Sequence, residues 1–272
     1  ITTIEGVCKG MSKKDTLKEI VAKKKEKILL AKQQISEEDL KIKVQGMAPT
    51  RPFIEAIAKP RTISLIAEIK KVSPSQGVIR EIFNVQEIAR IYQEAQVQAI
   101  SVLTEEDYFH GNVSYINDIK GLAQVPVLRK DFILEPYQVY ESRYYGADAI
   151  LLIAELLTKD KLAELMAIAG SLGLDCLVEV HTEKELKKVL SMKVPLIGIN
   201  NRDLHTLEVD FKTTEKLFTL IPKDKIVVVE SGIKSSQDVL FLKILGVSAV
   251  LIGTAFMQSQ DIKQKVEELM GW

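Results

Sequence analysis

Several charged residues in this chain stand where packing gives no reason for a charge. Glu68 and Lys70 lie two apart in the apolar run IAEIK, so on an extended segment they point to one side. Lys130 comes just after VPVL, and Glu179 sits among valines in LVEV. Such charges are either expensive burials, a structural ion pair included, or they do chemistry. Burial at the end of such a run lowers a lysine's pKa and makes it a general acid or a Schiff-base former. An unpaired glutamate among valines is raised towards neutrality and suits proton transfer, whereas a salt bridge to Lys130 would still place both groups in one site. Arg129 and Asp131, of opposite parity to Lys130, are expected to pair outside. In GINNRDL, Asn200 and Arg202 share parity and offer an amide and a guanidinium fork to a carboxylate or phosphate. Ser231-Gly232 in VESGI and Gly253-Thr254 in IGTAF suit an anion bound by backbone N–H groups. His181 shares parity with Glu179 but stands at a loop edge and receives no role.

The elements that must position these residues are eight short apolar runs. They are ISLIAEIK (63–70), QAISVLT (98–104), VPVLRKD (125–131), DAILLIA (148–154), LDCLVEV (174–180), VPLIGIN (194–200), KIVVVES (225–231) and SAVLIG (248–253). An amphipathic stretch separates each pair. Repeated strand and helix with near-continuous apolar strands is the pattern of a closed parallel (β/α)8 barrel, a TIM barrel of the α/β class. In that architecture strand ends carry the active site, which nominates Glu68, Lys70, Lys130, Glu179, Asn200 and Glu230. The segment Lys71 to Arg80, with Ser73, Pro74, Ser75 and Gly77, has the composition of a mobile loop able to close over a ligand.

Residues 1–60 are expected to form a helical extension packed on the barrel, and residues 61–272 the barrel itself. From Ser12 to Gln34, apolar residues at Leu17, Ile20, Val21, Ile28 and Leu29 have helical spacing, with Ser12 or Asp15 as N-cap. A linker around Pro49, Pro52 and Pro60 follows, with Phe53–Ala58 as a further short helix. Nine lysines against four acids in the first 32 residues read as a solvated face rather than a polyanion site. The whole chain balances 37 basic against 37 acidic residues, which argues against nucleic acid and anionic membranes as partners. No apolar run is long enough to span a membrane. Cys8 and the strand residue Cys176 are not expected to pair, which favours a cytoplasmic setting, or an organelle if a transit peptide has been removed. No metal-spaced Cys/His cluster, Walker A run or dinucleotide fingerprint is present, so the expected chemistry is acid–base work on a phosphate ester without metal or cofactor.

Taken in order, AEIKKVSPSQG, SVLTEEDYFHGN, VLRKDFI, LVEVH, IGINNRDL, VESGI and VLIGTAF resemble the indole-3-glycerol phosphate synthases of tryptophan biosynthesis, over about residues 15–265. The resemblance implies ring closure, decarboxylation and dehydration of 1-(2-carboxyphenylamino)-1-deoxyribulose 5-phosphate. It implies Lys130 as general acid, Glu179 as base or stabiliser of cationic character, and Lys70 as carboxylate contact or second acid. Glu68 would help hold the lysines and substrate, while Asn200, Arg202 and Glu230 would orient the substrate and Ser231 would sit at the turn after the seventh strand. Phe109, Phe132 and Leu204 would form the apolar wall, and Ser73, Gly232, Gly253 and Thr254 would supply polar or phosphate contacts. Gln76 departs from the lysine of many members, and GTAF from the more usual serine- or alanine-containing turn. The partner implied is a small phosphorylated substrate, with the protein a monomer or weak homodimer. Two other readings are an aldolase-like barrel with a Schiff base on Lys130 and a non-catalytic phosphate-binding barrel.

Overall fold

The computed structural model describes residues 16–272, so Cys8 and the N-cap candidates Ser12 and Asp15 lie outside the described residues. Each apolar run forms a strand: β1 (Ser64–Ile69), β2 (Ala99–Leu103), β3 (Val127–Lys130), β4 (Ala149–Ile153), β5 (Asp175–Val180), β6 (Leu196–Asn200), β7 (Ile226–Glu230) and β8 (Ala249–Ile252). All neighbours pair in parallel, and β1 meets both β2 and β8 to close the barrel. Strand side chains alternate between two buried surfaces, which is why the runs are apolar throughout. Ile66, Leu128, Leu151, Leu177, Leu196 and Val228 fill the interior, while neighbours such as Leu65, Ile100, Val178 and Val229 pack under the outer helices. Register then sets the site. Leu103 pairs with Lys130, Ile153 with Glu179, and Asn200 with Glu230, so the charged residues gather at the C-terminal ends of the strands.

Local sequence starts and stops the helices between strands. Helix α4 (Val85–Glu94) is capped by the Asn84 side chain, which accepts from the Gln86 and Glu87 N–H groups. Helix α8 (Glu183–Leu190) is capped by Thr182. Helix α10 (Ser236–Leu245) has a Ser235–Asp238 capping box and ends at Gly246, φ 103°, a conformation that favours glycine.

Three helices precede β1: α1 (Thr16–Gln34), α2 (Glu37–Lys43) and α3 (Phe53–Ile57). Helix α1 buries Leu17, Ile20 and Ile28, but Leu29, assigned to the apolar face from its spacing, is 61% exposed. The inward stripe runs Leu17, Ile20, Lys24, Ile28, and Leu29 falls a sixth of a turn or more away from it. Lys24 is buried because its ammonium lies 2.9 Å from Asp131 and 3.1 Å from Glu106. Helix α3 works at the opposite end. Phe53 and Ile57 are fully buried in the interior cluster, and the Ile54 N–H donates to Asp175 at the start of β5. The linker is fastened where Arg51 donates to the carbonyls of Ala123 and Val125 and, through its backbone N–H, to Asp148.

Cys176 is a buried free thiol, its pKa pushed up to about 12 by burial. Among the described residues no helix is long and apolar enough to cross a membrane. Phe53 leaves the barrel floor open if truncated. Phe53→Ala is expected to lower unfolding free energy by about 3–5 kcal/mol, measured as a reduced urea midpoint at unchanged m-value.

Candidate active site

A cavity of about 850 Å³ opens over the C-terminal ends of the strands. On its floor the Lys130 ammonium lies 3.2 Å from Glu179 and 3.1 Å from Glu230. The Lys70 ammonium lies 2.6 Å from Glu68 across the two-residue spacing of β1. All four glutamate and lysine positions expected at strand ends, with Glu230, therefore share one cavity wall.

The protonation states differ from the sequence reading. Burial does oppose the charge of Lys130, but Glu179, Glu230 and Glu68 more than offset it and hold its pKa above the ordinary lysine value. Burial likewise opposes the charge of Glu179, yet Lys130, His181 and Asn200 hold its carboxyl below the usual range. Glu179 is paired, so the expectation of a raised pKa fails there. It applies to Glu230 instead. Burial dominates at Glu230, and the nearby Glu179 carboxylate adds to it, so its pKa is raised despite Lys130. Neither Glu230 oxygen has a well-aligned hydrogen bond among the described residues.

Two glycines make room for these carboxylates. A Cβ on Gly198 of β6 would stand 2.7 Å from Glu230 Oε1, and one on Gly253 would stand 2.6 Å from Glu68 Oε1. Gly253 was singled out for anion contact, and its structural necessity is the space beside Glu68. Gly198 was missed, because nothing in LIGIN shows which carboxylate faces it.

Around the floor, Phe109 and Phe132 form an aromatic wall with ring centroids 6.4 Å apart, and Leu204 lines the same cavity. Phe109 is held there by Glu105, whose buried carboxylate accepts the N–H groups of Asp107, Tyr108 and Phe109. The Asn200 side chain accepts the Arg202 N–H, and the Arg202 guanidinium donates to Leu207 O and to Ser75 Oγ. Ser231 adopts φ 64° and Gly232 φ 84° as β7 turns over the cavity, and Thr254 opens the short helix α11 (Thr254–Met257) after Gly253.

The segment after β1 is a hairpin rather than an unstructured loop. Val72 pairs with Val78 and Ser73 with Gly77, whose φ of 69° makes the turn. Ser73 is consequently buried in the hairpin. Ser75 and Gln76 reach the cavity wall in its place. Arg80 fastens the base of the hairpin by donating to the carbonyls of Met257 and Ser259.

Behind Lys130, on the outer side of β3, Arg129 and Asp131 do pair, at 3.0 Å, and both are buried. Asp131 also accepts from Thr104, from the Phe132 N–H and from Lys24 of α1. Burial opposes its charge, yet Lys24 and Arg129 hold the carboxyl far below the usual range. His181, left without a role by its loop-edge position, has its Nε2 3.2 Å from Glu179 Oε1.

The sequence profile of the indole-3-glycerol phosphate synthase family matches residues 17–269. The indole-3-glycerol phosphate synthase of Acetivibrio thermocellus is 49% identical over 254 residues, covering 93% of this chain and 98% of that relative. The enzyme of the same name from Caldanaerobacter subterraneus is 54% identical over 211 residues, covering 77% of this chain and 82% of the relative. Among solved structures, 3-hexulose-6-phosphate synthase from Salmonella typhimurium (TM-score 0.58, 13% identity, 77% of this chain, 97% of that one) shares the fold. So does a chain of the Pyrococcus furiosus tryptophan synthase complex (TM-score 0.57, 17% identity, 77% and 98%). With the profile spanning nearly all of the described barrel and near-half identity over its length, the chain belongs to the indole-3-glycerol phosphate synthase family.

Proposed function

We propose that this protein closes the indole ring of 1-(2-carboxyphenylamino)-1-deoxyribulose 5-phosphate, releasing carbon dioxide and water to give indole-3-glycerol phosphate. The observation that carries the assignment of roles is the Lys130 ammonium between Glu179 and Glu230, beneath an aromatic wall.

The anthranilate ring stacks beside Phe109 and Phe132, with Leu204 closing that side. Its carboxylate-bearing carbon attacks the ketone carbon while Lys130 gives a proton to the ketone oxygen, which becomes a hydroxyl. Loss of carbon dioxide restores the aromatic ring. The hydroxyl then leaves as water, with Lys70 as the proton donor and Glu179 taking a proton from the adjacent carbon, and the indole double bond forms. Glu68 holds Lys70 in place at 2.6 Å. Asn200, Arg202 and Ser231 orient the sugar chain, and the turns at Gly232, Gly253 and Thr254 receive the phosphate, a placement suited to backbone N–H donors. Holding the two reacting carbons together supplies much of the rate, because ring closure is intramolecular.

The charge on Lys130 separates this reading from the Schiff-base alternative. A carbonyl adduct needs the amine already neutral before it attacks, whereas the acid role starts from the ammonium that the neighbouring glutamates maintain. Borohydride trapping of a substrate adduct on Lys130 would restore the alternative.

Two outcomes are expected. Lys130→Ala should lower kcat by about 10²- to 10⁴-fold, read by the fluorescence of the indole product, with the far-UV circular dichroism of the native chain retained. Gly198→Ala should push Glu230 away from Lys130 and cut kcat by about tenfold or more, since small misplacements of a catalytic group are costly. Turnover at the native rate by either variant would refute its assigned role.

A further inference from the structure

His181 is a buried titratable group standing behind Glu179 that the reaction above does not use. Its side chain is only 6% exposed and lies between two carboxylates, with Nε2 3.2 Å from Glu179 Oε1 and Nδ1 3.3 Å from Glu185 Oε2. Glu185, on α8, also accepts the backbone N–H of His181 at 2.8 Å and the hydroxyl of Thr182 at 2.6 Å. A third carboxylate, Glu155 in the turn after β4, comes within 4.8 Å of the His181 and Glu185 ligand atoms and is itself bound by His205. Lys188 of α8 also acts electrostatically on Glu185 and Glu155, but its ammonium donates to the Ala154 and Leu157 carbonyls, so the imidazole is the cation recorded in direct contact with Glu185 among the described residues.

Glu179 and Glu230 flank the same ammonium and compete for it. Facing Glu179 are Lys130 from β3, His181 at the end of β5, Asn200 from β6 and Glu230 from β7. Facing Glu230 are Lys130 and the like charges of Glu179 and Glu68. The two glutamates thus differ in that Glu179 has an imidazole and an amide beside it, while Glu230 faces the added like charge of Glu68.

We propose that His181, as an imidazolium shared between Glu179 and Glu185, is a positioning residue that makes Glu179 the ionised base of the pair and leaves the proton on Glu230. This rests on the synthase reading. Burial opposes the imidazolium, but Glu179 and Glu185 raise its pKa to about 10, in keeping with a charge held throughout the neutral range.

The test is the pH dependence of kcat and KM for the carboxyphenylamino-deoxyribulose phosphate in native protein, His181→Gln and Glu185→Gln. It is joined by 15N NMR of the native imidazole and by melting temperatures. In His181→Gln, Glu179 loses a cation and its pKa rises, so the acidic limb of kcat should move up by about one pH unit or more, with KM little changed. In Glu185→Gln the imidazole loses a carboxylate and its pKa falls, so its own 15N titration should move to lower pH than in the native protein. The native imidazole should stay protonated at pH 8. A native acidic limb in folded His181→Gln, an unshifted imidazole titration in Glu185→Gln, or a neutral native imidazole at pH 8 would overturn the proposal. If His181→Gln does not fold, Glu185→Gln and the NMR titration decide it. Absence of turnover in the native protein would instead refute the synthase reading, and with it any role of His181 in this reaction.

Discussion

The site is organised by one ammonium buried among carboxylates. Lys130 lies near Glu179, Glu230 and Glu68 inside a barrel whose interior is largely apolar. Taking these charges out of water costs several kcal/mol per ion unless geometry and further hydrogen bonds compensate. The compensation has to come from neighbours placed to a fraction of an ångström. That requirement explains features one residue removed from the ammonium, including glycines at Gly198 and Gly253 and an imidazole behind Glu179.

Rigid placement continues on the outer side of β3. The Asp131 carboxylate gathers Arg129, Thr104, the Phe132 N–H and Lys24. Lys24 belongs to α1, so the helix before the barrel is tied by a buried ion pair to the residue next to Lys130. Glu106 takes the other side of the same ammonium, just after the Glu105 carboxylate that shapes the aromatic loop. The helical segment is thus continuous with the loops carrying the site, while α3 plugs the far end of the barrel. Cavity chemistry at one end and stabilising packing at the other is the usual division of labour in this architecture.

Much of this could be read along the chain. Period-two burial on both strand faces makes apolar runs, and runs spaced by helices have one economical closed arrangement, so strands and order were legible. A charge closing an apolar run is conspicuous for the same reason, and Glu68, Lys70, Lys130, Glu179 and Glu230 all announce themselves that way. Residues whose importance lies in a partner did not. Lys24 looks like one lysine of many, Leu29 looks as apolar as Ile28, and His181 looks like the first residue of a loop. Ser73 carries the same hydroxyl as Ser75, and only the hairpin decides which of them reaches the cavity.

By itself, then, the sequence determined the barrel, the strand ends as the place of chemistry and the inventory of acids and bases found there. Tertiary structure alone decided who pairs with whom, and therefore which groups carry protons. Lys130 was expected to lose charge through burial and is held charged. The raised carboxyl expected at Glu179 is found at Glu230. The reason is physical. Desolvation depends on burial, which a run of apolar neighbours reveals, but the Coulomb contribution depends on distances between residues brought together from different strands. Those distances are set by strand register and by the space a missing Cβ leaves open, and neither is written in any local stretch of chain.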